Sequence, residues 1–415
     1  MLFIPLYPKF PSIRIPGIYV SIRLEDFLIF ITLLLFVPIL LNKRKDIIKE
    51  SASKSIFVYL FVGFVSLLSA IFLTKTVDPL IGSLHLLRRV EYFSLFFVGF
   101  AYIRYIVQDK EKFLNYVLKL FIIIVYLIFA YGIGQRFLNF PVIITQNEEY
   151  SKGIALRWVP GAHINSTFGG HYDLASYIIL IGPVLVMYLV TVKQKISKLV
   201  LMIAVYFCFM LLSFAVSRIS IVAFIVACLL PLIIYKKYKE SIFFIFVSLL
   251  IFGLSSGLRV RYERIFQVVK DKISMVNIVY AEEGIAQEDR STSIRLNVEW
   301  PRAIRAMNKN LLLGTGYSSI TLATDNDYLR ALGEVGILGF LAFILILINF
   351  FKILYQKATI GISNFLLFKY SLLGSFTGLL LVAMFIDIFE ASKFALNFWL
   401  MLGLIAGVNE YEQNI

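Results

Sequence analysis

Residues 325–350 read DNDYLRALGEVGILGFLAFILILINF. Charged side chains crowd the start, at Asp325, Asp327, Arg330 and Glu334, and then stop. The apolar run that follows is long enough to cross a bilayer as a helix, which takes about 20 residues. A polar rim leading into such a run is the edge of a membrane span. This stretch sets the fold class of the whole chain, because runs like it recur to either side.

Besides 328–354, spans are predicted near 25–41, 55–74, 88–107, 114–134, 171–192, 198–214, 218–235, 241–257, 364–386 and 393–409. That makes about eleven. The 415-residue chain is 60% hydrophobic with a mean hydropathy of +0.84. An ordinary soluble domain is about 45–50% apolar. The expected fold is an all-α polytopic membrane protein, with residues 1–415 forming one membrane domain. No internal repeat, low-complexity tract or separate soluble domain is visible.

Short loops rich in Lys or Arg stay in the cytoplasm. Five such loops alternate with the spans: 43–54, 110–119, 193–198, 236–239 and 352–357. One orientation satisfies all of them. The segments 75–87, 135–170, 215–218, 258–327 and 387–392 then face outward, and the C-terminus faces inward. Met1–Tyr7 looks like the tail of a further span. An upstream helix is therefore expected, which would give about twelve spans and a cytoplasmic N-terminus. A short re-entrant segment is the alternative.

Arginine and lysine separate by side. Of 17 Arg, only Arg44 and Arg104 fall inside; of 23 Lys, about 16 do. The positive-inside rule treats both cations alike, so it does not produce this split. A planar guanidinium grips phosphate through two hydrogen bonds, whereas Lys acts as a point charge. The outer face is therefore expected to bind phosphate or another oxyanion. The alternative is that these arginines hold loops together through carboxylates or lipid headgroups. The net charge of +14 is largely topological and does not indicate nucleic acid.

Two outer segments are long enough to fold, 135–170 and 258–327, the second a large external helical loop between spans eight and nine. Within 290–309 the apolar residues Ile294, Val298, Ala303, Ile304 and Met307 fall near helical spacing. Pro301 should kink this helix or start a new one. The stretch reads as amphipathic helix at the membrane surface. LLLGTGYSS then turns the chain, and Asp325 or Asp327 is expected to cap the next span.

Arg218 lies in LLSFAVSRISIVAF, between two spans joined by almost no loop. An Arg there is costly unless paired or useful; the alternative is snorkelling to the headgroups. Arg290, Arg295, Arg302 and Arg305 form a patch beside Trp300. Asp325 and Asp327 sit at the membrane edge, where a carboxylate could act as a general base or merely cap a helix. Glu334 lies about two turns into its span and needs a partner. Gly333, Gly336 and Gly339 suggest a small-residue face for helix packing. Glu91 is expected to pair with Arg88, Arg89 or an Arg from another loop.

His171 and Asp173 are two apart and do not share a helix face, so they form no ready dyad. Metal-ligand spacing is absent, and Cys208 and Cys228 fall inside predicted spans. No phosphate-binding glycine loop occurs, so neither a nucleotide, a metal nor another cofactor is expected. An outward site has no access to nucleotide sugars and must use a preactivated, membrane-carried donor.

Three stretches resemble the O-antigen ligase/polymerase superfamily, the membrane glycosyltransferases of bacterial surface polysaccharides. SRIS at 217–220 is similar to its Ser-Arg-Gly stretch. IRLNVEWPRAIRAMNKNLLLGTGYSS is similar to its Arg-x4-Trp helix followed by Gly-x-Gly. DNDYLRALGEVGILG resembles its His-Asn-x-Tyr-Leu…Glu-x-Gly-x-x-Gly signature. RLEDFLI and STFGGHYDLASY are also similar, and span number and order extend the resemblance over the chain.

The resemblance implies a metal-independent, inverting transferase in the bacterial cytoplasmic membrane with its active face outward. Its donor would be a glycan on undecaprenyl pyrophosphate. A glycan or lipid hydroxyl would be the acceptor, with membrane lipids and other assembly enzymes as partners. Arg218 and Arg295 would hold the pyrophosphate, and Asp325 would stand at the ligase histidine position as proton acceptor. Asp at that position favours the polymerase branch over the ligase. Arg157, His171, Arg290, Trp300, Tyr328 and Glu334 are expected to contact substrate. A transporter of lipid-linked sugar is the rival from another class, but polar residues would then gather at mid-membrane rather than at the rim.

Overall fold

The computed structural model describes residues 1–9, 11–14, 21–142, 157–159, 162–254, 293–320, 323–356 and 363–413. Arg290, most of the 258–327 loop and the middle of the 135–170 loop lie outside the described residues.

The chain opens with α1 (Phe3–Leu6) and a hairpin of β1 (Pro11–Arg14) and β2 (Ser21–Arg23), paired antiparallel. Helices follow: α2 (Leu24–Asn42), α3 (Arg44–Lys49), α4 (Ser51–Phe72), α5 (Pro79–Ala101) and α6 (Lys110–Phe137). Then come α7 (His171–Thr191), α8 (Lys195–Ala215), α9 (Arg218–Ile234) and α10 (Tyr238–Leu254). After the loop lie α11 (Trp300–Lys309), α12 (Asp327–Tyr355), α13 (Ser363–Val382) and α14 (Ser392–Gln413). Each predicted span falls on one of these helices. Seven of the described helices, α2, α4, α6, α7, α8, α12 and α13, are long and apolar enough to cross a bilayer. Shorter apolar helices, α9 and the described part of α14, join them. The chain is thus a polytopic, essentially all-α membrane protein.

α5 begins at Pro79, well before the predicted span. The Asp78 side chain accepts hydrogen bonds from the Leu80 and Ile81 amides, and Pro79 needs no amide partner in the first turn. Arg88, Arg89 and Glu91 therefore lie inside the helix rather than at its end. Arg88 bridges to Glu91 at 3.1 Å and to Asp26 of α2 at 2.7 Å.

Two polar ends bracket the bundle. At one, the lysine-bearing connections converge: Asn364 Nδ2 donates to Glu111 Oε2 at 2.6 Å, and the Tyr188 hydroxyl to Asn364 O at 3.4 Å. At the other lie the arginine-bearing segments described below. Between them the core is aromatic. Trp399 touches Phe93, Phe350 and Phe389 with ring centroids 4.4, 5.7 and 6.0 Å apart.

α12 is broken where the sequence suggested a smooth packing face. Gly336 has φ +67°, and its two turns are spliced by the loop before it. The Gly333 and Glu334 carbonyls accept from the Thr315 and Gly316 amides at 3.0 and 2.8 Å. The Ile337 and Leu338 amides donate instead to Leu311 and Leu312 carbonyls at 2.9 and 3.2 Å. The close approach that Gly336 permits is thus to loop backbone: a Cβ there would sit 2.4 Å from the Leu312 carbonyl. Gly333 likewise faces α11, where Ala303 O would lie 3.0 Å from an added Cβ. Gly336→Ala should destabilise the protein by about 2–3 kcal/mol, combining left-handed strain with a backbone clash. Thermal unfolding of the detergent-purified variant checks this, and an unchanged midpoint would contradict the splice.

Candidate functional site

The arginine-bearing end is organised by three consecutive residues. Asn326, not an aspartate, caps α12: its side chain accepts from the Tyr328 and Leu329 amides at 3.1 and 2.9 Å. This releases both neighbours from capping. Asp327 turns inward, accepting from the Ile388 and Phe389 amides at 2.8 and 3.3 Å. Asp325, at φ +50°, turns the other way. Asp tolerates that left-handed geometry better than most residues.

Asp325 Oδ2 meets Arg295 at two nitrogens, Nε at 2.9 Å and Nη2 at 2.8 Å. Arg295 opens a π-turn, Arg295–Glu299, that leads directly into α11. Such turns recur at functional sites. Pro301 sits in the first turn of α11, directly after the π-turn, in a run that is helical throughout from 293 to 309. Tyr172, in the first turn of α7, lies near enough to favour the charged form of Arg295, as Asp325 does more strongly. Next to Tyr172, the His171 ring lies 4.3 Å from that of His163.

A buried ionic layer supports the turn. Arg330 reaches Asp387 at 2.8 Å, Glu334 at 3.4 Å and Glu390 at 3.5 Å. Asp387 also accepts from the Thr324 and Asn326 amides at 2.7 and 2.9 Å. Arg89 pairs with Glu390 and donates to Phe389 O. Arg89, Arg330, Glu334 and Glu390, with Tyr59, Tyr317 and Asp327, line a cavity of ≈ 30 Å³.

The structure brings some of the predicted site residues together and not others. Arg295 and Asp325 are brought into contact with each other, with Tyr172 beside them. Trp300 follows Glu299 directly, and its indole Nε1 is buried with no hydrogen-bond partner among the described residues. Arg218 is half-buried in the first turn of α9. It shares this end of the bundle, since the nearby Phe214 carbonyl accepts from the Ile164 amide, next to His163. Tyr328 and Glu334 are engaged internally. The Tyr328 hydroxyl donates to Leu380 O at 3.1 Å, and Glu334, 3% exposed, accepts from the Ser318 amide at 3.3 Å beside Arg330. Arg157 is exposed, next to Trp158 over which Arg136 stacks.

Electrostatics separate the acids at the surface. Burial raises the Asp325 carboxyl above the usual carboxylate range; Arg295 pulls it back and Asp387 pushes it further up. Glu299 is pushed up to about 7, first by burial and then by Asp325 and Asp387, against Arg295 and Arg302. Sequence reading passed over Glu299, Tyr172 and Asp387. Glu299 alone carried a local signal, four residues after Arg295, where a helix brings side chains to one face.

Residues 200–344 match the family model described as O-antigen ligase. The match takes in Arg218, Arg295, Glu299, Asp325 and Glu334, and excludes Arg89, Tyr172 and Asp387. No curated protein matches the chain. The chain is thus a polytopic membrane protein that carries, over residues 200–344, a segment similar to the O-antigen ligase family.

Proposed function

We propose that the protein is a polysaccharide polymerase at the outer face of the bacterial cytoplasmic membrane. It transfers a glycan from undecaprenyl pyrophosphate to a hydroxyl of a second glycan, with inversion and without a metal. The lysine-bearing end faces the cytoplasm by the positive-inside rule, which turns the Arg295 end outward.

The observation that carries this reading is the Arg295–Asp325 pair, which joins the π-turn before α11 to the turn that leads into the α12 span. Pyrophosphate leaves readily once its charge is neutralised, and fixed guanidinium groups at a water-poor edge do this without reorganising. Arg295 and Arg218 are the groups assigned to hold it, with Arg157, His171, Arg290 and Trp300 around the glycan. Tyr328 and Glu334 support the turn from within. Asp325 at the ligase histidine position favours polymerase over ligase.

A gel of surface glycan from cells with and without the gene tests this. Loss of the long ladder with single capped units remaining is the expected result. Finished chains stranded on carrier lipid would identify a ligase instead. An unchanged ladder, with reconstituted vesicles moving lipid-linked sugar across the bilayer, would overturn the transferase reading in favour of transport.

A further inference from the structure

Asp325 is poorly placed to take a proton. Its Oδ2 accepts from two nitrogens of Arg295, so protonation would discharge the pair that fixes the guanidinium. A second carboxylate stands beside it. Glu299 closes the π-turn that Arg295 opens, and that spacing sets both side chains near one face of the turn. Its Oε2 is buried without a hydrogen-bond partner among the described residues. Trp300 Nε1 and Arg302 Nη1, on the same short helix, are buried and unpartnered in the same way. Three unsatisfied polar atoms within one turn, next to Arg295, are available to a ligand, because such groups are normally paired.

We propose that Glu299 is the catalytic base that accepts the proton of the attacking hydroxyl, while Asp325 is a positioning residue for Arg295. This rests on the transferase reading above. In the step, the acceptor oxygen forms a bond to the anomeric carbon as the bond from that carbon to the pyrophosphate oxygen breaks. The electron pair of the broken bond leaves with undecaprenyl pyrophosphate. The hydroxyl proton moves to Glu299, which becomes a neutral acid, and is released to solvent after product leaves. Trp300 and Arg302 supply donors to the acceptor sugar alongside.

The charges around Glu299 suit this task. Asp325 on the α12 turn and Asp387 on the α13–α14 connection disfavour its ionised form, and Arg295 and Arg302 on its own helix favour it. A base is most effective when it titrates near the working pH, and Glu299 does so at about 7. The base must be ionised to act, so turnover rises as pH increases through this value.

The test uses the full chain in nanodiscs with an undecaprenyl-pyrophosphate-linked oligosaccharide as donor and acceptor. Wild-type kcat should climb through about pH 7. Glu299→Gln should lower kcat by about 100-fold or more, with donor KM within about twofold, and should abolish the pH-dependent limb. Glu299→Asp should restore part of the rate with the limb displaced. The fold favours the uncharged form of Glu299, so Glu299→Gln should melt no lower than wild type at alkaline pH. A Glu299→Gln rate within about threefold of wild type overturns the proposal, as does residual activity with the limb intact or a lowered melting point. A wild type that transfers no glycan removes the transferase reading and this inference together. An active wild type with a silent Glu299 removes the inference alone.

Discussion

Arg295→Ala should reduce glycan transfer by about 10²–10³-fold, the usual cost of removing one preorganised charge-stabilising group. The expected loss is in kcat as well as donor KM, because negative charge grows on the pyrophosphate as its bond to the sugar breaks. The fold should survive: this pair ties the π-turn to the turn before α12, while α11 packs independently through Ala303 against Gly333. Arg295→Lys keeps the charge but loses the planar fork that Asp325 grips at two nitrogens, so it should recover only part of the rate. Steady-state transfer with purified protein in nanodiscs measures both variants. Activity near wild type in Arg295→Ala would remove this residue from donor binding and leave the pair as a structural staple.

Arg330→Ala should be the most damaging change to the fold. It strips the shared cation from Asp387, Glu334 and Glu390, whose side chains are 9%, 3% and 23% exposed. Removing one partner from a buried ionic group costs about 3–5 kcal/mol, because the charges left behind have nowhere to go. Asp387 also holds the Thr324 and Asn326 amides. Disorder from the lost guanidinium should therefore spread into the turn that carries Asp325. The measurement is the yield and thermal midpoint of membrane-extracted protein. A variant that melts like wild type but fails to transfer glycan would instead place Arg330 in the chemistry.

Much of the fold was legible because hydrophobic length is a local property. Every predicted span is a helix, and Pro301 lies in the first turn of α11, where its missing amide is tolerated. The partners of Glu91 and Glu334 were also within reach, since a carboxylate among apolar residues needs a cation nearby, and Arg88 and Arg330 lie three and four residues away. What local pattern could not show is where backbone groups exchange partners across the chain. The glycines of α12 read as a packing stripe because their spacing is helical, yet Gly336 breaks the helix so that loop amides can enter. The capping rule chose the aspartates, which do favour such positions. Asn326 takes the role because Arg295 and the Ile388 and Phe389 amides claim both acids from elsewhere in the chain. Tyr172 and Asp387 went unremarked for the same reason: they are distant in sequence from every motif they serve.

The alternation of Asp325, Asn326 and Asp327 has a consequence for how this region can vary. Each residue answers to a different neighbour: a loop helix on one side, the start of α12 below, and the α13–α14 connection on the other. Substitution at one of the three disturbs one attachment. Inserting or deleting a single residue disturbs all three at once, because the cap position passes to an acid and the acids exchange directions. Variation in length between Thr324 and Tyr328 should therefore be far less tolerated than variation in identity, and homologues that lengthen their outer loops have room to do so only before or after this turn.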